Sequence, residues 1–348
     1  MMRPEVLTIM GTRPQYVKCA VLRGAYKKAG LKEVLLDTGQ HYDSNMSSNI
    51  FLQLGVSEPD IKLKLGGQSQ CRTIGSMMIE LEAQVEVLRP KAIVVLGDTN
   101  STLAGGLVAK KMSLPLFHVE AGLRSYDKNM PEEQNRIAID HLSDLLLCPT
   151  QRSVDNLKLE NIKSGVHFTG DVMLDAVEKF QDKFKKPTSL PFSLKETDYA
   201  LITLHRADAL ASKETLEKRI NYIRNSSASI QKIFLMHPHT RKKILQFGIN
   251  VADFTCLEPQ GYLETQWLLS NALCLYTDSG GMQKEAFFHS VPVTVMREST
   301  EWPEIFVSNT NKMWEPCFSE IKSDKIETDP FGSGSAAENV VQLIRDAL

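Results

Sequence analysis

The sequence predicts an α/β protein made of two doubly wound, Rossmann-like domains. Short apolar runs recur along the chain, and each is followed by a polar or glycine-containing turn and a helical pattern, which is typical of parallel strands with crossover helices. The chain has 348 residues, more than one average hydrophobic core, and 42% of them are apolar. A charged, proline-containing stretch at 185–191 interrupts the alternation, which then restarts. Two domains with a cleft between them are therefore expected.

The first domain is expected to span residues 1–170. Strands are predicted at 5–10, 34–37, 92–96, 115–119, 144–148 and 166–169. Helices are predicted from about 13 to 29, from 72 to 88, from 100 to 112 and near 151–160. A further helix should begin at Pro131, because proline suits the first helical turn. This order of elements predicts a parallel sheet covered by helices.

The second domain is expected to span residues 171–330. A helix at 173–185 should lead into the proline-containing linker, and strands are predicted at 199–204, 232–236, 272–276 and 292–296. The remaining segment, 331–348, contains an amphipathic helix from 336 onward that can pack back on the first domain.

Composition excludes several classes of protein. The net charge of −2 gives no basic surface for nucleic acid or an anionic membrane. No run of about 18 apolar residues predicts a membrane span, and the N-terminal residues do not form a signal peptide. The six cysteines are scattered without paired spacing, so neither a zinc knuckle nor a disulfide framework is predicted. A reduced, cytoplasmic protein without a metal site is expected.

Three acids follow elements of the first domain. Asp98 comes after the strand at 92–96, Glu120 comes after the strand at 115–119, and Glu132 lies in the first turn of the helix that begins at Pro131. In an open parallel sheet, ligands bind at the carboxyl ends of the strands. We therefore expect the three carboxylates to lie close together in one crevice. Three acids in one crevice are hard to explain by fold stability alone, which indicates a functional site.

The first strand is followed by Gly11-Thr12-Arg13-Pro14. This sequence is either an ordinary turn or the start of a phosphate site, in which the forked guanidinium of Arg13 and the ammonium of Lys18 bind oxygen atoms. Neither the dinucleotide-binding motif Gly-x-Gly-x-x-Gly nor the P-loop motif Gly-x-x-x-x-Gly-Lys-Ser/Thr follows any predicted strand. A dinucleotide cofactor and a P-loop therefore lose their main support, and no cofactor is expected.

In the second domain, Ser279-Gly280-Gly281 separates a strand from a helix. The backbone N–H groups and the dipole of that helix start predict an anion site, unless the segment is an ordinary helix cap. Glu285 lies about one turn inside the helix and can accept hydrogen bonds from ribose hydroxyls.

Two histidine segments also end strands. His205 is followed by Arg206, and His237 opens the basic segment His237-Pro238-His239-Thr240-Arg241, which suits a diphosphate. The His-x-His spacing is disfavoured as a metal site because the proline breaks the geometry and no third ligand is evident. His118 lies inside an apolar strand, which indicates a hydrogen-bonded core residue.

Six motifs together resemble the non-hydrolysing UDP-N-acetylglucosamine 2-epimerases, in order and over nearly the whole chain. They are Gly11-Thr12-Arg13-Pro14, Gly97-Asp98-Thr99, His118-Val119-Glu120-Ala121-Gly122-Leu123-Arg124, Pro131-Glu132-Glu133-x-Asn135-Arg136, Leu204-His205-Arg206 and Thr277-Asp278-Ser279-Gly280-Gly281. The resemblance implies the glycosyltransferase-B fold, a UDP-sugar in the cleft and a homodimer.

The resemblance also implies roles by position. The implied catalytic residues are Asp98, Glu120, Glu132 and His205. The implied substrate contacts are Arg13, Lys18, Arg136, His237, Ser279, Gly280, Gly281 and Glu285. Gln15 departs from the glutamate that many members have after Arg-Pro. Three segments, 40–46, 204–208 and 283–288, look closer to the branch acting on UDP-2,3-diacetamido-2,3-dideoxyglucuronic acid. The first of them overlaps an activator site of other members, which argues against allosteric activation here.

The expected chemistry follows from the C2 proton of a hexosamine, which is not next to a carbonyl. One route is transient oxidation, whose nicotinamide fingerprint is missing. The other is anti elimination of UDP, followed by re-addition through a glycal, which needs a diphosphate clamp and carboxylates near C1 and C2. The alternatives are a glycosyltransferase with the same fold, a hydrolysing epimerase that releases UDP, and a binding module without activity. The manno-configured product would supply surface polysaccharide synthesis.

Overall fold

The chain divides into two compact units in the structure, a computed structural model. It describes residues 3–40, 50–190, 198–315 and 329–348. The first unit contains Met1–Phe180 and Thr328–Leu348, and the second contains Gln181–Glu327. The predicted cleft between two domains stays a prediction.

The first unit is a helix-covered parallel sheet. Its strands are β1 (Val6–Met10), β2 (Glu33–Asp37), β3 (Ile61–Lys62), β4 (Ala92–Leu96), β5 (Leu116–Val119), β6 (Leu145–Cys148) and β7 (Val166–Phe168). Its helices are α1 (Arg13–Ala29), α2 (50–54), α3 (Gln70–Leu88), α4 (Asn100–Lys111), α5 (Pro131–Leu142), α6 (Gln151–Leu159), α7 (Val172–Phe180) and, near the C-terminus, α12 (Ala336–Ala347). Among the described residues, the strand order is β3–β2–β1–β4–β5–β6–β7.

The centre of this sheet is apolar on both faces. Every residue of β1 and β4 is buried, as continuous apolar runs predict for parallel strands. Helix α4 comes close to the sheet at Gly105, where an added Cβ would lie 2.9 Å from Cδ1 of Ile9. The small residues of α4 therefore bring the helix that follows Asp98 tightly against the strands.

The second unit repeats this architecture. Its strands are β8 (Tyr199–Thr203), β9 (Gln231–Leu235), β10 (Thr255–Leu257), β11 (Cys274–Thr277), β12 (Val293–Val295) and β13 (Lys312–Met313). Its helices are α8 (Lys213–Ser226), α9 (Pro238–Phe247), α10 (Tyr262–Ser270) and α11 (Gly280–Phe288), with short 3-10 helices at Gln181–Lys183 and Pro303–Val307. Over the described part of this unit, the parallel strands run in the order β10–β9–β8–β11–β12–β13.

The C-terminal helix α12 packs on α1 and α7 of the first unit. This helix is amphipathic, and its buried face consists of Ala336, Ala337, Val340, Val341 and Ile344. The backbone N–H groups of Ala336 and Ala337 donate to the carboxylate of Asp175 at 3.1 and 2.7 Å. Asp175 thus satisfies the donors that a helix start leaves open.

The predicted fold class is confirmed, since two parallel sheets carry interleaved helices. The helix predicted at 173–185 is shorter, because α7 ends at Phe180 and a 3-10 turn follows. Three edge strands were not predicted: β3, β10 and β13 have two or three residues each, too few to show a period. Residues 41–46 and Pro191, used in the sequence analysis, lie outside the described residues. No helix of the described chain is long and apolar enough to cross a membrane.

Candidate active site

Asp98 lies at the end of β4, where the chain turns sharply. Gly97 has a left-handed backbone, with φ at 61°, and its N–H group donates to Val119 O at 2.9 Å. Helix α5 holds Asp98 from two sides. The Asp98 carboxylate forms an ion pair with Arg136, and Asn135 Nδ2 donates to the Asp98 main-chain oxygen at 2.9 Å. Asp98 is thereby fixed in position while its side chain keeps 26% exposure.

Glu120 follows the neighbouring strand β5 in an uncommon conformation. Its φ is 72°, a left-handed value that non-glycine residues rarely adopt. Its carboxylate forms an ion pair with Lys18 from α1, and both side chains are nearly buried. A Cβ added to Gly97 would lie 3.3 Å from Glu120 Oε2, so the two acid-bearing strand ends adjoin. Backbone strain of this kind often marks a functional site.

The ion pair of Lys18 and Glu120 borders a small pocket of the first unit. Its other lining residues are Val119, Pro149, Gly170, Asp171 and Val172. The pocket therefore lies at the ends of β5 and β6, the sheet edge where the sequence predicts ligand binding.

Glu132 and Glu133 have different surroundings at the start of α5. Glu133 is buried and accepts hydrogen bonds from Ser125 N at 2.9 Å, Ser125 Oγ at 2.9 Å and Tyr126 N at 2.8 Å. It also accepts from Arg136 Nη1 at 3.0 Å. Glu132 is only partly buried. Glu133 therefore has a structural role, whereas the carboxylate of Glu132 remains accessible to a substrate.

Gln15 connects the ends of β1 and β4. Its Oε1 accepts from the N–H groups of Gly11 and Thr12 at 2.8 and 3.1 Å. Its Nε2 donates to Leu96 O at 2.7 Å and Thr99 Oγ1 at 3.1 Å. The amide is suited to this position because it both accepts and donates. Arg13, two residues earlier, begins α1 and is partly buried.

In the second unit, Asp278 organises the loop that carries His205. Its Oδ2 accepts from the backbone N–H groups of His205 and Arg206 at 2.7 and 2.8 Å, and its Oδ1 lies 3.0 Å from His205 Nδ1. Burial lowers the pKa of His205, but the hydrogen bond and the negative charge of Asp278 outweigh it, so the pKa lies above the ordinary value. A protonated His205 can donate to a leaving oxygen.

His237 lies beside His205, with ring centroids 6.3 Å apart. It caps α9, where its Nδ1 accepts from His239 N at 3.3 Å. Burial and the positive charges of His205 and His239 lower the pKa of His237. The two shifts are opposite in direction, so His237 loses its proton at a lower pH than His205.

The segment Ser279–Gly281 forms the start of α11, as predicted. Glu285 is buried in the next turn, and its Oε2 accepts from Gln266 Nε2 at 2.7 Å. Gln266 is held in turn by His289, whose Nε2 lies 2.7 Å from Gln266 Oε1. An added Cβ on Gly281 would lie 3.8 Å from Glu285 Oε1, so the Glu285 carboxylate points back toward the helix start.

A further acid, Glu301, lies near the same helix start. Its Oε1 would be 3.5 Å from a Cβ on Gly280, and its Oε2 accepts from Arg297 Nη1 at 2.7 Å. Arg206 Nη2 lies 3.8 Å from Glu301 Oε1. The start of α11 therefore lies near the Glu301 carboxylate, whose negative charge is compensated by Arg297 and Arg206.

The structure brings the predicted residues together within each unit. Asp98, Glu120, Lys18 and Arg136 form two adjoining acid–cation pairs, and Glu132 lies on the helix that holds Asp98. Sequence reasoning did not assign Glu133, Asp278 or Gln15, although each lies within two residues of a predicted site residue. The described residues contain no group of three or more His, Cys, Asp or Glu arranged to hold a metal ion.

Comparison with known proteins agrees with this architecture. The profile of the UDP-N-acetylglucosamine 2-epimerase family matches residues 25–345. A UDP-2,3-diacetamido-2,3-dideoxy-D-glucuronate 2-epimerase of Pseudomonas aeruginosa is 39% identical over 312 residues, which cover 88% of this chain and 87% of the relative. A UDP-N-acetylglucosamine 2-epimerase of Methanococcus maripaludis is 37% identical over 357 residues, 97% of each chain.

Solved structures agree as well. The Methanocaldococcus jannaschii UDP-GlcNAc 2-epimerase in complex with UDP-GlcNAc and UDP matches with a TM-score of 0.86 and 33% identity, covering 98% of this chain and 99% of that one. The fold and these relatives place the chain among the two-domain α/β isomerases. The chain belongs to the UDP-N-acetylglucosamine 2-epimerase family. The family resemblance seen in the sequence is confirmed, and the glycosyltransferase and hydrolysing alternatives are not favoured.

Proposed function

We propose that this protein inverts C2 of a UDP-2-acetamido sugar by anti elimination of UDP and re-addition through a glycal. The observation that carries the proposal is the pair of adjoining strand ends at which Asp98 and Glu120 each contact a cation. Ordinary packing does not require two cation-paired carboxylates, that of Glu120 nearly buried and that of Asp98 partly exposed, in strained or sharply turned loops. Charged groups of this kind can stabilise an oxocarbenium-like centre and move a proton.

In this proposal, Glu132 removes the C2 proton. It lies in the first turn of α5, where the helix dipole favours negative charge. Asp98 and Glu120 stabilise the positive charge that develops at C1 or handle the second proton. Lys18 and Arg136, which pair with these two acids, and Arg13 are proposed substrate contacts of the first unit.

The second unit is proposed to hold UDP. Gly280 and Gly281 offer backbone N–H groups to phosphate beside Ser279, whose own N–H donates to Thr277 Oγ1 at 3.0 Å, and Glu285 accepts from ribose hydroxyls. His237 contributes to diphosphate binding. His205 is the proposed acid for the leaving UDP oxygen, because the contact with Asp278 favours its protonated form.

The substrate is proposed to be UDP-N-acetylglucosamine or a closely related UDP-2-acetamido sugar. The named activities of the two relatives above differ in the 3- and 6-substituents of the sugar. Each purified UDP-sugar is to be incubated separately with the enzyme in D2O and followed by NMR. A 2-epimer carrying deuterium at C2 from one of the two supports the proposal; turnover of neither overturns it.

The elimination route has its own test. Oxygen label is placed in the C1–O–P bridge of the accepted UDP-sugar. If UDP leaves and returns, the label scrambles into the non-bridging positions of the same phosphate. Inversion without scrambling, or product without deuterium, would contradict the elimination route and reopen the redox one.

The proposal also covers the oligomeric state of the protein, its cellular location and the use of its product. We infer a homodimer, as the resemblance implies, which light scattering after gel filtration tests by mass. The cytoplasm is the proposed location, consistent with the free thiols of Cys19, Cys71, Cys148, Cys256 and Cys274. The product is proposed to enter surface polysaccharide synthesis.

A further inference from the structure

His118 lies within β5 and is fully buried, two residues before Glu120. Its Nε2 is 2.7 Å from Gly97 O, the carbonyl that precedes Asp98. Its Nδ1 is 2.8 Å from Asp140 Oδ1 on α5. One imidazole ring therefore touches the turn that carries Asp98 and the helix that holds it.

The acceptors around this ring determine its protons. Gly97 O can only accept, so Nε2 must carry hydrogen. Asp140 also accepts from Arg124 Nη1 at 2.6 Å and from Gly122 N at 3.2 Å. Burial raises the pKa of Asp140, but His118 and Arg124 outweigh it, so the pKa lies below the ordinary value and the group is ionised. An ionised carboxylate requires a proton on Nδ1 as well.

Charge balance at the buried end of the cluster agrees with this proton count. Arg124 forms a second, two-pronged ion pair with Glu160, at 2.6 and 2.7 Å. With a charged His118, the cluster holds two cations and two anions. With a neutral His118, the fully buried Asp140 carboxylate would share the single charge of Arg124 with Glu160, which is 27% exposed and lies 3.9 Å from His141, and an undercompensated buried carboxylate is costly.

We propose that His118 is a doubly protonated positioning residue that fixes the two acid-bearing turns relative to each other. Through Nε2 it holds the Gly97–Asp98 turn. Through Asp140 it holds Gly122 N, and with it the strained turn that begins at Glu120. This inference rests on the proposed function for its effect on catalysis, whereas the proton count does not.

The proton count is measured on wild-type enzyme labelled with ¹⁵N-histidine, by long-range ¹H–¹⁵N correlation. The His118 signal is assigned by its loss in His118→Gln. We expect hydrogen on both ring nitrogens. A single ring proton overturns the proposal, whichever UDP-sugar the enzyme accepts. Absence of turnover with either sugar would overturn the proposed function and leave this measurement intact.

The catalytic effect is tested with Asp140→Asn, whose amide can donate to Nδ1 and so releases that proton. His118 should become neutral, and kcat should fall by about 10²-fold, the scale of an ångström-sized misplacement, with KM and UDP affinity unchanged. The matched control is Glu160→Gln, which changes the other partner of Arg124 and should leave kcat unchanged. An unchanged kcat in Asp140→Asn, or an equal loss in the control, overturns the proposal. If Asp140→Asn does not fold, His118→Gln supplies the kcat measurement against the same control.

Discussion

At the scale of single residues, two adjacent glutamates should have separable roles. Glu132→Gln removes the proposed base and should lower kcat by about 10²-fold with little change in UDP binding. Glu133→Gln weakens the buried bonds to Ser125, Tyr126 and Arg136, and should lower the free energy of unfolding by about 1–3 kcal/mol. Steady-state kinetics and urea unfolding of both variants make the comparison. Unchanged stability of Glu133→Gln would contradict the structural role of Glu133, and full activity of Glu132→Gln would contradict the role of Glu132 as the base.

Glu285 should affect UDP alone. Its carboxylate is held by Gln266 close to the start of α11 and is proposed to accept from ribose. Glu285→Ala should weaken UDP binding by about 1–3 kcal/mol, as for loss of a hydrogen bond to a charged group. Calorimetry measures the affinity, and Glu214→Ala, at an exposed acid in the first turn of α8, is the control. Equal UDP affinity in Glu285→Ala and wild type would refute the contact.

At the scale of elements, the ends of β8 and β11 share one charge pair, His205 with Asp278. A raised histidine pKa means that this pair stabilises the fold fully below the ordinary histidine pKa, and that the contribution is lost as pH rises through the raised value. Asp278→Asn removes the charge, so the His205 pKa should fall. The alkaline limb of the kcat profile should then move to lower pH.

The measurement pairs the kcat profile with an NMR titration of His205. His289 is an internal reference, since burial lowers its pKa to about 4 and its titration should be the same in both proteins. A limb that stays in place while the His205 pKa moves would exclude His205 as the acid.

At the scale of the whole molecule, activity should not depend on an added metal or redox cofactor. The chain lacks the glycine fingerprint of dinucleotide binding, and its one His-x-His spacing, at His237, is interrupted by proline and has no evident third ligand. Enzyme treated with chelator and passed over charcoal should keep the turnover of an untreated sample. Activity that returns only with NAD or a divalent ion would contradict the proposed mechanism.

The sequence by itself determined the layered fold and most of the strand-end residues. Apolar runs such as 92–96 show buried parallel strands because both faces of such strands are covered, and Asp98 and Glu120 follow at their ends. Short edge strands such as β13 escaped prediction because pairing with a neighbouring strand, rather than local pattern, creates them.

Only the tertiary structure decided which polar side chains form ion pairs or hydrogen bonds with each other and with the backbone. Lys18 meets Glu120 across 102 positions of sequence, and Gln15 meets Leu96 across 81. His118 looked like an ordinary core histidine, and its two acceptors become visible only when β4, β5 and α5 pack together. Local pattern encodes burial and periodicity, whereas the partner of a buried polar group is set by distant segments that folding brings within hydrogen-bond distance.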